Sequence, residues 1–519
     1  MGGPGRRSVI PRSAGRRTSA DGSGTAGPAR AAGQKSDAST QTAATCYLAL
    51  DQGGSASRAL VFDSAGSELA SSRVAVADRR PRPGWVEQDP DAVVASLRLA
   101  AEAAMAQLDP GQRARARVCG LSCQRSSLVC WDRRSGAALS PILSWQDTRA
   151  AEWLAAQSLD VDSMHRATGL YPNAHYGLSK IRWCLEHLDA VQQAARDGRL
   201  MIGPVSAYLA HRLLRPRPCL VDPATASRTL LFDLSRGDWN QELLDRFDIE
   251  RDWLPGIARS DAAFGELRLS SQSLTLSLLS GDQSTAAFAF GEPRPEAAYL
   301  NVGTGAFVYR LAAQMPAQSR LLRSVIHWSD APQFVVEGTV NGAGAALAWF
   351  ADQHGVADVT ASLQQHWRDD AQADVLFLNG IGGLGSPDWR PDFASRFVGE
   401  ATREQELVAV AESILFLIQR NLTLLQEIDA PCAYVLISGG VSRSDRFCQV
   451  LSDLCGLPVR RPGQCEASAR GAAFLLAGRP PAWAPLPEQR FDPRDTPGLQ
   501  ARYRRWGECL QAALPSRTT

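Results

Sequence analysis

One unit, a strand followed by a glycine-rich turn and a second strand, occurs twice in this chain, and the duplication restricts the possible folds. The first copy reads Tyr47-Leu-Ala-Leu-Asp51-Gln52-Gly53-Gly54-Ser55-Ala-Ser57-Arg58-Ala-Leu-Val-Phe-Asp63. Residues 47–50 and 59–62 are apolar runs of strand length on either side of a turn with little side-chain bulk. That predicts a hairpin whose tip exposes backbone N–H groups, an arrangement that can wrap a phosphate. Asp51, at the end of the first strand, can hold a divalent cation directly or through its waters. Arg58 adds a fixed positive charge. The second copy reads Ala298-Tyr-Leu-Asn301-Val-Gly303-Thr304-Gly305-Ala-Phe-Val308-Tyr. Asn301 falls where Asp51 falls, and Gly303 where Gly53 falls. A long-range repeat of this kind predicts two similar domains, each offering one loop to a shared ligand.

A third apolar strand ends in Ser438-Gly439-Gly440-Val441. Three strand-to-glycine turns, two of them duplicates, point to a nucleotide cleft between two α/β halves. A further run, Leu278-Leu279-Ser280-Gly281-Asp282-Gln283-Ser284, delivers a glycine and then a carboxylate at a strand end. Gly281 lets a substrate or another backbone approach closely. Transfer of a phosphoryl group to an alcohol needs a carboxylate within hydrogen-bond reach of the hydroxyl. Asp282 is the candidate for that base, with N-capping of a helix expected around 286–290 as its alternative role.

The loop 51–58, the Gly281-Asp282-Gln283 step, the Gly303-Thr304-Gly305 turn and the Ser438-Gly439-Gly440 turn together resemble the FGGY family of carbohydrate kinases, nearest by motif to its glycerol kinase branch. The likeness runs from about residue 46 to residue 478. It implies an α/β fold of two duplicated actin-like ATPase (ribonuclease H-like) domains, of the actin, hexokinase and Hsp70 type, with a cleft between them. The expected division is a disordered tail over 1–44, an N-terminal domain over 45–291, a C-terminal domain over 292–480 and an extension over 481–519. By the same resemblance Arg125, Ser126, Trp145, His175, Asp282 and Gln283 line the acceptor site. An arginine that donates to hydroxyls, beside an aromatic face that covers C–H bonds, suits a polyol or sugar. On the ATP side, Gly53, Gly54, Ser55, Arg58, Gly303 and Thr304 are expected at the phosphates. Gly344, Gly439, Gly440 and Ser444 are expected along the rest of the nucleotide. Asp51 is expected to carry Mg²⁺, largely through water.

The implied reaction is transfer of the γ-phosphate of ATP to a hydroxyl of a small polyol or sugar. Glycerol is the narrower alternative, and a catalytically inactive ATP-binding sensor is a third reading. Four positions depart from the glycerol kinase pattern. Ser126 stands where that branch has Glu. Counting from Thr168-Gly169-Leu170 puts His175 where it has a substrate-facing Tyr, and a one-residue slip would put Tyr176 there instead. Ala348 replaces a polar residue near the nucleotide, and Ser438 an Asp. The first two put glycerol itself in doubt and fit a longer polyol or a sugar as well. The resemblance also implies a small-molecule partner; a homodimer or homotetramer, a cytoplasmic location and the absence of nucleic-acid or membrane partners are further expectations.

Composition supports this class. A chain of 519 residues with 45% hydrophobic content can bury two or three cores. A net charge of +1 provides no overall field towards nucleic acid or membrane. Eleven cysteines without regular spacing suit reduced thiols better than a disulfide framework. Residues 1–44 carry few large apolar side chains, and Arg16-Arg17 is not followed by the apolar run of an export signal. Asp89-Pro90 predicts a helix start, with the helix over 91–108. Strands are expected over 68–77 and 118–122, and amphipathic helices over 178–188 and 205–214. Thr402-Arg-Glu-Gln405 is a capping box opening a helix to about residue 428. Its stripe Leu407, Ala411, Ile414, Leu415, Ile418, Leu422 and Leu425 reads as core. The small-residue helix after Glu466 is expected to pack under the adenine.

Overall fold

A computed structural model describes residues 45–312, 320–367, 374–428, 430–463 and 466–514. The expected N-terminal tail lies outside the described residues. Two seven-stranded sheets carry the chain. The first contains β1 (Cys46–Gln52), β2 (Ala56–Phe62), β3 (Glu68–Ala75), β4 (Ala116–Cys123), β5 (Leu214–Arg215), β6 (Gly265–Arg268) and β7 (Ser273–Gly281), in the order β5-β6-β7-β4-β1-β2-β3. The second contains β8 (Ala297–Val302), β9 (Ala306–Leu311), β10 (Leu322–Trp328), β11 (Pro332–Val340), β12 (Tyr434–Ser438), β13 (Val459–Pro462) and β14 (Glu488–Phe491), in the order β10-β11-β9-β8-β12-β13-β14.

The duplication read from sequence is a duplication of topology. In each sheet the first strand of the glycine hairpin runs parallel to a strand from later in the chain: β1 to β4, β8 to β12. The second strand of each hairpin is antiparallel to a further strand, β2 to β3 and β9 to β11. Even the register matches. Asp51 lies opposite Ser122, and Asn301 lies opposite Ser438. The strand ends that carry these four residues therefore sit at equivalent corners of the two sheets.

Seven helices bear on the site: α1 (Pro90–Ala106), α2 (Gly177–His187), α3 (Asp282–Ala286), α4 (Gly344–His354), α5 (Arg403–Gln426), α6 (Asp445–Cys455) and α7 (Ala467–Leu476). Asp89 caps α1 with its side chain, and Pro90 occupies the first turn, where its missing N–H costs nothing. Val93, Leu97 and Met105 face inward, while Val94 is half-buried. The capping box Thr402/Gln405 opens α5 as the pattern predicts, and every residue of its apolar stripe is buried. Each such Leu or Ile contributes about 1.5–3 kcal/mol when withdrawn from water. By length and composition α5 could cross a membrane, yet most of it lies inside the core of the second half. The described cysteines are free thiols.

The small residues of α7 pack against the first half. Ala469, Ala472 and Ala473 close onto Ala49, Leu60, Phe62 and Leu278 of the first sheet. Gly471 meets α3, where a Cβ would fall 1.8 Å from the Thr285 carbonyl oxygen. A helix from the end of the second half thus supports the first sheet and the turn that carries Asp282.

Candidate active site

The strand β7 ends in Gly281, whose extended backbone makes it the N-cap of α3. Asp282 is therefore the first residue of the helix, four residues earlier than the sequence suggests, and not its cap. Its Oδ1 accepts from the Gln283 N–H at 2.7 Å, which fixes the carboxylate beside the strand end. Gly281 is glycine for a steric reason: a Cβ there would lie 2.6 Å from Cγ of Arg125. The arginine stem crosses this bare backbone and brings its guanidinium to the Asp282 side. Burial raises the proton affinity of Asp282, while the charges of Arg125 and Arg228 pull it down.

Asp51 sits at the end of β1 and is 5% exposed. Arg58, its register partner on β2, donates to Asp51 Oδ2 from Nη1 at 3.3 Å. The same guanidinium lies 3.3 Å from Glu466 Oε1, just before α7. Burial, then the negative charge of Asp282, pushes the Asp51 carboxyl up to about 7, against the pull of Arg58. A buried carboxylate at a strand end, its proton affinity raised by the charge of a second one, fits a divalent cation. Among the described residues no group of three carboxylate, His or Cys side chains converges. The donor set therefore suits an ion that takes most of its ligands from water and phosphate oxygens.

The expected acceptor residues gather next to this corner. Trp145 and His175 meet edge to face with centroids 5.6 Å apart, and His175 meets Tyr176 likewise at 5.1 Å. Burial and the positive charges of Lys180, Arg228 and Arg125 hold the His175 imidazole well below its ordinary range, so it is neutral near pH 7. Ser126 has φ of 64°, a left-handed conformation that costs a non-glycine residue about 1 kcal/mol. Its hydroxyl is buried and has no hydrogen-bond partner. What holds this strained residue is Lys180 of α2, 1% exposed. Its Nζ donates to the Ser126 carbonyl at 3.1 Å and to the His175 carbonyl at 2.6 Å. One ammonium thus ties together two loops distant in sequence. Burial lowers its proton affinity to about 7, so the clamp is charged below neutral pH. Lys180→Met is expected to release both loops and raise the acceptor KM about tenfold, with the ATP KM unchanged. Initial-rate kinetics in both substrates checks this.

Two further charged residues stand against this group. Arg228 lies against the Tyr176 ring at 5.2 Å and donates to Ser324 Oγ at 2.7 Å. Glu337 of β11 is 3% exposed and stands 3.7 Å from Arg125 and 3.5 Å from Arg228.

The glycine turns are built alike, and each closes on itself. The Gly53 N–H donates to the Ala56 carbonyl and the Gly303 N–H to the Gly305 carbonyl. Those two amides hold the turns in shape, and the residues that follow present the open edge. Thr304 is exposed, and its carbonyl accepts from Ala343 and Ala345 at the start of α4. Gly344 permits this contact, since a Cβ would lie 2.6 Å from the Gly303 carbonyl oxygen. Ser438 accepts from the Asn301 amide at 3.1 Å, which ties the second and third turns together. A cavity of about 530 Å³ opens here, lined in part by Asn301, Ser438, Gly439, Gly440 and Glu466. Ser444 is the N-cap of α6, its hydroxyl accepting from the Phe447 N–H. Ala348 is exposed on α4.

Sequence reasoning gave no site role to Lys180, Arg228, Glu337 or Glu466. Two of them left a mark. Lys180 falls on the buried face of α2, between Leu178 and Ile181. Glu337 interrupts the apolar run Phe334-Val335-Val336.

Comparison with known proteins agrees with this architecture. Residues 46–288 match the N-terminal domain of the FGGY family of carbohydrate kinases, and residues 298–478 match its C-terminal domain. A glycerol kinase of Cereibacter sphaeroides is 31% identical over 495 residues, covering 90% of this chain and 99% of the relative. A glycerol kinase of Bordetella parapertussis is 32% identical, covering 91% and 97%. Among solved structures, the glycerol kinase of Plasmodium falciparum with ADP superposes with a TM-score of 0.80 at 21% identity, covering 91% of this chain and 99% of the other. The xylulose kinase of Lactobacillus acidophilus superposes with a TM-score of 0.78 at 20% identity, with the same coverage. These two likenesses establish the actin-like ATPase fold. The chain belongs to the FGGY family of carbohydrate kinases, and it transfers a phosphoryl group from ATP to an alcohol group of its substrate.

Proposed function

We propose that the acceptor is a small polyol or sugar and that Asp282 prepares its hydroxyl. The observation that carries this reading is the half-buried Asp282 carboxylate, fixed by the Gln283 amide at 2.7 Å and faced by the Arg125 guanidinium. In the proposed reaction the acceptor hydroxyl oxygen attacks the γ-phosphorus of ATP. The new O–P bond forms as the bond from phosphorus to the β,γ-bridging oxygen breaks, and ADP departs. Asp282 accepts the hydroxyl proton. A base whose proton affinity is raised by burial suits transfer near neutral pH. Arg125 and Gln283 hold acceptor hydroxyls, and Trp145 covers a C–H face.

On the donor side, Gly54, Ser55, Arg58 and Thr304 meet the phosphates, while Gly53 and Gly303 shape the turns. Gly344, Gly439, Gly440 and Ser444 flank the remainder of the nucleotide. Asp51 would hold Mg²⁺, which when bound neutralises phosphate charge. Exclusion of water by the two halves limits hydrolysis of ATP.

Glycerol is the narrower reading. It is supported by relatives named as glycerol kinases at 31–32% identity over nine-tenths of the chain. The broader reading is supported by the buried, unpartnered Ser126 hydroxyl and the neutral His175, neither of which supplies a carboxylate to glycerol. An ADP-coupled screen over glycerol, erythritol, tetruloses, pentuloses and hexoses decides between them. Highest kcat/KM with a four- or five-carbon acceptor is the expected result. Glycerol outperforming every other compound would establish the narrower reading. ATP binding without turnover on any acceptor would sink both.

A further inference from the structure

We propose that Glu337 is a positioning residue for the acceptor site: from the second half of the chain it holds Arg125 of the first half on the acceptor and keeps that guanidinium off Asp282. The proposal rests on the reading of Asp282 as the base.

Glu337 belongs to β11, inside the second sheet, between Tyr309 of β9 and Leu322 of β10. Its carboxylate nevertheless points at two arginines of the first half and is 3% exposed. A bridge that served stability alone would be closed and bidentate, because burying charge is repaid only by tight hydrogen bonds. This chain contains such a bridge: Arg149 meets Asp147 at 2.9 and 2.7 Å. The Glu337 contacts are different. They span 3.7 Å to Arg125 and 3.5 Å to Arg228, and the buried Oε1 accepts no hydrogen bond.

The two arginines are not equivalent. Arg228 is fixed independently, by Ser324 Oγ at 2.7 Å and by the face of Tyr176. For Arg125, Glu337 is the sole acidic group within ion-pair distance among the described residues. Its stem lies over Gly281, and its guanidinium remains available to a ligand. Four charges consequently alternate around the acceptor site: Asp282, Arg125, Glu337, Arg228. Asp282 is faced by Arg125, Arg228, Asp51 and the Cys123 thiol. Glu337 is faced by Arg125 and Arg228 and by the phenols of Tyr176 and Tyr309. His175, neutral, lies on the same side.

Without the Glu337 charge, Asp282 is the remaining counter-ion for Arg125. The guanidinium then pairs with the base instead of the acceptor. Two effects follow from one displacement. The acceptor loses a hydrogen-bond donor, and the base becomes more acidic because a nearby cation favours its charged form.

The test uses the full chain, the best acceptor from the screen, and pH profiles of kcat/KM. For Glu337→Gln, which preserves shape and removes charge, the acceptor KM should rise about tenfold with the ATP KM unchanged. The acidic limb should move to lower pH by about half a unit or more. Glu337→Asp keeps the charge but draws it back. It should raise the acceptor KM while leaving the limb at its wild-type position. A residue that only supported the fold would lower melting temperature and active fraction but move neither the limb nor the ratio of the two KM values. Wild-type acceptor KM and limb in Glu337→Gln would overturn the proposal. If that variant does not fold, an unchanged acceptor KM in Glu337→Asp overturns it instead. Failure of the underlying reading is seen separately, in wild-type protein, as turnover without an acidic limb.

Discussion

Asp282→Asn is expected to lower kcat about 10³-fold and to leave the ATP KM within about twofold. The substitution is nearly isosteric. An Asn side-chain oxygen can still accept from the Gln283 N–H, as Asp282 Oδ1 does at 2.7 Å, so the start of α3 and its packing on α7 persist. What disappears is the proposed proton acceptor. The pH dependence separates this from a general loss of structure. Burial raises the Asp282 proton affinity above the ordinary carboxylate range, with Arg125 and Arg228 opposing. A base works only when deprotonated. Wild-type kcat/KM should therefore fall as pH drops through that raised value, and the residual activity of the variant should lack this limb. ADP release measured from pH 5 to 9 reads both effects. Unchanged turnover in Asp282→Asn, with binding intact, would remove the mechanism.

The hairpins were legible because each is local. An apolar run, a glycine turn and a polar strand end all lie within a short window, and the sheet only pairs them. The register match of Asp51 with Ser122 and Asn301 with Ser438 then follows from the duplication. The place of Asp282 after a strand end was legible for the same reason, although its position as the first helical residue was not. Gly281 can serve as an N-cap or as an open floor, and here the crossing Arg125 stem demands glycine while Gly281 also caps the helix. Composition cannot tell which turn amide remains open. Gly53 and Gly303 have the same sequence context as their neighbours, yet each uses its N–H to close its own hairpin.

Long-range partners were the least accessible. Lys180 acts on Ser126 and His175, Glu466 on Arg58, and Glu337 on Arg125 and Arg228. The Lys180 pairings form only once the first half has folded, and the Glu466 and Glu337 pairings only once the two halves meet. A charged residue on an otherwise buried face, as at Lys180 and Glu337, is the local trace of such a partner. It signals that a counter-group exists without naming it. The α7 helix makes a related point. Its small residues announced close packing, but the surface it packs on is the first sheet, which the sequence order conceals.

Asp51→Asn should produce the second large effect, a fall in kcat/KM of about 10²-fold at pH 8 with a changed response to Mg²⁺. In the wild-type protein the Asp51 proton must leave before a cation binds, and burial with the Asp282 charge holds it until about pH 7. The apparent Mg²⁺ affinity should therefore rise up to about tenfold per pH unit below 7 and level off above it. In Asp51→Asn the dependence should be much flatter, since the amide carries no proton to displace. Stability should move the opposite way. A carboxyl whose folded proton affinity exceeds its unfolded one, about 3.9, supports the fold fully at low pH and withdraws that support as pH rises towards 7. Asn carries no such penalty. Without metal, the variant and wild type should melt at similar temperatures near pH 4, and the variant should melt higher at pH 8. That pattern is expected where a site holds charge for its reaction at the expense of the fold. Titrations of rate against Mg²⁺ from pH 6 to 8, and thermal melts without metal, measure the two effects independently. A variant that loses stability at pH 8 while keeping the wild-type Mg²⁺ response would mean that Asp51 is a structural partner of Arg58 and not a cation ligand.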